Sequence, residues 1–197
     1  MAKDQPLSPR ARVVSRAFPA RRPGSCRPGV PTTPGSGARH RRPSGNLPGV
    51  SVDVEVVQEA SDEVAGALGH LVPQLSTTAQ PPDMAAVQRI VSSQATTLLA
   101  ARLDGKIVGF LSLVMFPIPT GFRAWIEDVI VDEAARGQGI GEALSRKALG
   151  LADAAGAKTV DLTTRPHREA AGRLYERVGF AARSTRVYRY RFDRPAS

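Results

Sequence analysis

The sequence predicts a single mixed α/β domain behind a disordered tail. Three observations predict it. Length comes first: 197 residues suffice for one ordinary domain and are short for two. Composition changes sharply near residue 50. Beyond that point, period-two and helical apolar patterns follow one another along the chain.

Residues 1–49 are crowded with Pro, Gly, Ser and Arg and carry no apolar periodicity. Proline blocks helix and removes donors, and so little apolar surface cannot offset the ordering entropy, so the segment reads as disordered. It holds ten basic side chains against Asp4 alone, which accounts for the whole net charge of +9. Residues 50–197 are balanced. Three readings of the tail stay open: a dispensable extension or a start placed too far upstream, an electrostatic arm for nucleic acid or anionic surfaces, and a transit peptide spoiled by its prolines. No apolar region follows the charges as a secretory signal requires.

Val50, Val52, Val54 and Val56 alternate with polar residues, the period of a strand. Ser61 before Asp62 and Glu63 opens a helix, with Val64, Leu68, Leu71 and Val72 at helical spacing and Pro73 near its end. A second helix runs from Pro82 or Asp83 to Val91. Thr96 to Leu103 and Lys106 to Phe116 are strands joined by Asp104-Gly105, a type I′ hairpin turn, and Pro117 and Pro119 end the second. Arg123 to Asp132 is a further strand. Ile140, Leu144, Ala148, Leu151, Ala152 and Ala155 mark a long amphipathic helix stopped at Gly156. Thr159 to Thr164 is a strand. Arg168 to Val178 is a helix that follows Pro166 and stops at Gly179. Thr185 to Phe192 alternates and closes the chain as a strand.

The same residues exclude several function classes. Ile107 to Phe116, the longest apolar run, is half the length of a bilayer span, so no membrane is expected. Cys26 is the single cysteine, and His40, His70 and His167 lie far apart, so no metal site and no disulfide framework are expected. That cysteine usage fits a cytoplasmic protein. As a nucleophile, Cys26 in the tail has little support.

The segment from Ile126 to Leu144 is the most informative. A strand runs into Arg136-Gly137-Gln138-Gly139-Ile140-Gly141, and a helix opens there. Glycines let an anion approach backbone amides, and a helix N-terminus adds free N–H groups and partial positive charge. The loop suits phosphate or pyrophosphate. A P-loop would need a lysine that is missing, and a dinucleotide-binding loop would need glycine where Glu142 stands.

The spacing Arg136-x-x-Gly139-x-Gly141, after the strand Val129-Ile130-Val131, resembles the coenzyme A loop of the GCN5-related N-acetyltransferases. Ala171 to Phe180, AGRLYERVGF, is similar to that family's A-x-x-L-Y-E-x-x-G-F helix. Glu127-Asp128-Val129-Ile130-Val131 is similar to a strand of its small-amine members. The resemblance covers about Val50 to Phe192. It implies a mixed central sheet with helices on both faces. It implies an N-acetyltransferase that moves an acetyl group from acetyl-CoA directly to a primary amine of a small molecule or protein, with no metal and no covalent enzyme intermediate.

The resemblance also implies roles. The strand bearing Glu127 and the strand from Thr159 splay apart, and the pantetheine pairs with backbone groups of Val129 and Val131, an N–H near Val129 polarising the thioester. The loop Arg136–Gly141 holds the pyrophosphate. Arg168 stands where the family often has asparagine, so it is expected to contact the 3′-phosphate or pyrophosphate. Strand alternation puts Trp125, Glu127, Val129 and Val131 on one face with Asp128 on the other. Glu127, expected to be partly buried beside the acyl site, is then the base or only positions the amine. Tyr175 is the acid that protonates the leaving thiolate, or a core tyrosine.

Two other functions compete. One is a module that binds acyl-CoA without chemistry; retention of Glu127 and Tyr175 speaks against it. The other is nucleic-acid binding, expected only weakly and through the tail. The acceptor amine is not readable: the arginines of the C-terminal third either select a phosphate- or carboxylate-bearing substrate or, more simply, form a solvated face. The sequence leaves a homodimer open.

Overall fold

Strand order in the sheet follows chain order. The computed structural model describes residues 52–192, and the expectations for residues 1–49 lie outside them. The elements are β1 (Val52–Val56), α1 (Asp62–Leu75), α2 (Met84–Val91), β2 (Thr96–Leu103), β3 (Lys106–Ile118), β4 (Gly121–Val131), α3 (Ile140–Ala154), β5 (Val160–Leu162) and α4 (Glu169–Val178). The sheet runs β1-β2-β3-β4-β5, antiparallel until β4, which pairs parallel to β5. It is therefore mixed, with helices on both faces.

Local chemistry sets these boundaries. The Ser61 hydroxyl accepts from the Val64 N–H at 3.3 Å, and the Asp83 carboxylate accepts from the Ala86 N–H at 2.7 Å, so each helix starts on a side-chain cap. Asp104 and Gly105 have φ of 50° and 80°, as a type I′ turn demands. Arg102 on β2 donates to Glu55 on β1 and to Glu63 on α1, fastening that helix to the sheet.

The two faces carry separate cores. Leu99, Leu111, Leu113, Ala124 and Ile126 pack against Ile140, Leu144, Ala148 and Ala152 of α3. Leu98, Ala100, Phe110 and Ile130 pack against Val64, Leu68 and Leu71 of α1 and Val87 of α2. β2 is buried on both sides, which is why its sequence reads as a continuous apolar run. Among the described residues no helix is long and apolar enough to cross a membrane.

Two expectations are corrected. β3 continues through Pro117 to Ile118, because near a strand end a proline costs only a donor. The closing strand, Thr185 to Phe192, does not form. Alternation marks a segment able to lie in a sheet, but a strand needs a ladder to join. This segment stays outside the sheet, with Tyr188 85% and Tyr190 81% exposed.

Candidate active site

The site begins with one extra residue in β4. Phe110 pairs with Ile130 and Ser112 with Glu127, so Asp128 and Val129 together oppose Leu111. This is a β-bulge, and Asp128 holds it at φ 49°, a left-handed backbone that aspartate tolerates better than most residues. The bulge shifts the phase of the strand. Ala124 and Ile126 face α3 before it, whereas Val129 and Val131 face α3 after it and Ile130 faces α1. The expected common face of Trp125, Glu127, Val129 and Val131 is thus divided: the first two point to one side, the last two to the other.

The bulge also leaves an opening. β4 pairs with β5 only over Ala124–Ile126, opposite Val160–Leu162. The Asp132 N–H donates to the Val108 carbonyl at 2.8 Å, toward β3. By alternation the backbone of Ile130 also faces β3, and the N–H and carbonyl groups of Val129 and Val131 face the gap.

Beyond the gap the chain reaches the glycine loop. Asp132 caps a single 3-10 turn, Glu133–Ala135, by accepting from the Ala134 N–H at 3.0 Å. That bond comes first, and His70 second, in holding the Asp132 carboxyl below its ordinary pKa. Arg136 follows, 3.2 Å from Glu133. Gly137 and Gly139 have φ of 82° and 79°, and the space before both is open to a ligand. Gly139 caps α3 with no side-chain bond, so the first-turn N–H groups lack such a partner. Gly141 lies flush with α4, where an added Cβ would stand 3.0 Å from Leu174. The Ile140 side chain is buried in the α3 core, so only its backbone is on the loop side.

A cleft of about 860 Å³ opens between these parts. It brings together Glu127, the β4 edge Val129-Ile130-Val131, Arg136, Gly141, Arg168 and Tyr175; Gly137, Gln138, Gly139 and Ile140 stand outside its lining. Tyr175 is half-buried and meets the Phe180 ring edge-on, centroids 5.9 Å apart. Burial pushes its phenol pKa up, and the nearby Arg168 charge opposes that rise. Glu127 is exposed where it lines the cleft, not partly buried as expected: β4 has no β5 partner beyond Ile126 to cover it.

Sequence reasoning missed one wall. Gln74, Leu75 and Ser76, at the end of α1, line the cleft. Gln74 Oε1 accepts from the Glu133 N–H at 2.9 Å, and His70 Nε2 lies 3.0 Å from Asp132 Oδ2. Arg168 Nη2 donates to the Leu75 carbonyl at 2.9 Å. Arg189, from the C-terminal segment, also lines the cleft. No spacing ties these residues together in the sequence; the turn residues Asp132 and Glu133 were the only local signal.

The model of the acetyltransferase (GNAT) family matches residues 66–180. No curated protein matches the chain. Among solved structures, a transcriptional regulator from Bacillus halodurans C-125 is similar at 30% identity over 72% of this chain and 100% of that one, with a TM-score of 0.61. A ribosomal-protein-alanine N-acetyltransferase from Brucella melitensis biovar Abortus 2308 is similar at 26% identity, over 72% and 99%, with a TM-score of 0.60. An aminoglycoside N-acetyltransferase in complex with CoA aligns over 75% and 99% with a TM-score of 0.61; at 18% identity this likeness shows the fold alone.

Proposed function

The chain belongs to the acetyltransferase (GNAT) family and is an acetyl-CoA-dependent acetyltransferase; from that premise we propose that it moves the acetyl group directly to a primary amine of a small molecule or protein, in the cleft between β4 and β5. The observation that carries this reading is the interior strand left unpaired on its β5 side beyond Ile126. Its free backbone groups suit the amides of a pantetheine arm laid between the strands. At one end of the gap, the loop from Arg136 through Gly137, Gln138, Gly139 and Ile140 to Gly141 offers open N–H groups to a pyrophosphate. Arg136 adds a charge-assisted bond, and Arg168 adds positive charge at the same mouth.

The chemistry follows from what stands beside the gap. The acceptor nitrogen attacks the thioester carbon, forming the C–N bond as the C–S bond breaks. The Val129 N–H donates to the carbonyl oxygen as negative charge gathers there. Glu127, open to solvent, takes the ammonium proton directly or through a water. The Tyr175 hydroxyl gives its proton to the departing sulfur and recovers one from solvent; its burial keeps the phenol protonated through the neutral range. No side chain becomes acylated. Cys26 as the single cysteine fits a cytoplasmic compartment.

Relatives named for a ribosomal-protein alanine and for an aminoglycoside share this fold, and both kinds of amine are therefore included among the acceptors to test. The test is a library of primary amines incubated with the full chain and acetyl-CoA, following release of the free thiol. Release with a defined subset of amines is expected. Tight acetyl-CoA binding by calorimetry without release for any amine would overturn the reading in favour of a non-catalytic binding module.

A further inference from the structure

Helix α1 ends without a basic residue in its last turn and without a glycine stop. Pro73 sits inside that turn and has no N–H to give the ladder. The final carbonyls of a helix carry partial negative charge and need donors. Here the donor comes from 93 positions away: Arg168 Nη2 bonds the Leu75 carbonyl at 2.9 Å. Arg168 is itself the residue that caps α4, its carbonyl accepting from the Ala171 and Gly172 N–H groups. One residue therefore touches the end of one helix and the beginning of another.

The opposite side of the same turn is also tied. Gln74 Oε1 accepts from the Glu133 N–H at 2.9 Å, and one turn back His70 Nε2 lies 3.0 Å from Asp132. Asp132 and Glu133 open the single turn, Glu133–Ala135, that leads into the Arg136–Gly141 loop. The last turn of α1 thus spans the cleft from the loop wall to the α4 wall, and Gln74, Leu75, Glu133, Arg168 and Glu169 all line that cleft.

We propose that Arg168 is a positioning residue: its guanidinium clasps the last turn of α1 to the start of α4, and with the Gln74 tie it couples the glycine loop to the segment joining α1 and α2. The coupling rests on the reading of the cleft as the acetyl-CoA site; the clasp itself does not. A ligand that orders the loop and α4 together holds the α1 turn at both ends, and Ser76, at the entry to the connecting segment, follows it. This role differs from direct phosphate contact, because the bond that matters runs to a backbone carbonyl. Lysine can replace it with one donor, and alanine cannot.

Amide hydrogen exchange on the full chain tests it, with acetyl-CoA as the probe. In the free protein, Arg168→Ala should speed exchange of the Gln74, Leu75 and Ser76 amides about tenfold, the loss of one charge-assisted bond at a partly exposed site. Arg168→Lys should restore most of the protection. Saturating acetyl-CoA should slow those amides further in the wild type and not in Arg168→Ala, compared at equal occupancy. Unchanged exchange in free Arg168→Ala overturns the proposal, whatever happens to acetyl-CoA affinity; a large affinity loss with unchanged exchange would make Arg168 a phosphate ligand instead. If the wild type binds no acetyl-CoA, the functional reading falls, and the comparison of the free proteins still decides the clasp.

Discussion

β2 is flanked by partners on both sides from Leu99 to Leu103 and β3 from Gly109 to Val114, while β4 is paired on both sides over only three residues before β5 turns away. The first region is built for cohesion. Its side chains supply two cores, one register shift at Val108 is absorbed within the paired sheet, and its single reversal uses the expected turn. The second region keeps one paired edge and gives up the other. Backbone groups that a sheet would normally consume are left facing a cleft, and a left-handed aspartate and two left-handed glycines lie along the way. The contrast teaches that stability and chemistry are carried by neighbouring strands of one sheet. Changes in one should leave the other nearly untouched.

The sharpest way to break this separation is at Gly139. Gly139→Glu forces a side chain onto a left-handed residue and sets an anion where a pyrophosphate would lie. Calorimetry should show acetyl-CoA affinity falling on the order of a thousandfold, the loss of two or more charge-assisted bonds, with the fold retained. Unchanged affinity in a folded variant would place the coenzyme elsewhere. The converse test lies in the paired region: Leu113 is fully buried, and Leu113→Ala should cost about 3 kcal/mol in urea unfolding while acetyl-CoA affinity stays within about twofold. Affinity falling in step with stability would join the two regions into one.

Tyr175→Phe keeps the ring and its contact with Phe180 and removes only the proton. It should lower kcat about fiftyfold, inside the range for a general acid, with acetyl-CoA affinity unchanged. Because burial raises the phenol pKa, the wild-type rate should hold as pH rises through the ordinary tyrosine value near ~10 and fall only above it. A normal rate would make Tyr175 a packing residue. Glu127→Gln should have the smallest effect, about fivefold at low pH, where free amine is scarce, and less as pH nears the pKa of the amine. An unaltered pH profile would leave the carboxylate only to position the acceptor.

Much of this was legible because it is local. Ser61, Asp83 and Asp104-Gly105 announce their caps and turn through chemistry that acts within a few residues. The Arg136–Gly141 loop and the helix bearing Tyr175 were readable for the same reason. The failures are non-local. Whether Tyr188 and Tyr190 join a sheet depends on an edge elsewhere, which their own alternation cannot report. That Gln74 and Arg168 meet the same turn of α1 depends on packing across the whole domain. The phase shift in β4 lies between: Asp128 is the kind of residue that permits it, but nothing in EDVIV demands it.

Asp128 sits as a surplus residue in an otherwise regular alternation. Without it, Ile126, Glu127, Val129, Ile130 and Val131 would alternate evenly and each would keep its present side. The shortened strand would ladder smoothly onto β3, a more orderly sheet. The sheet thus gives up regularity where β4 borders the cleft, the kind of local irregularity that functional sites carry.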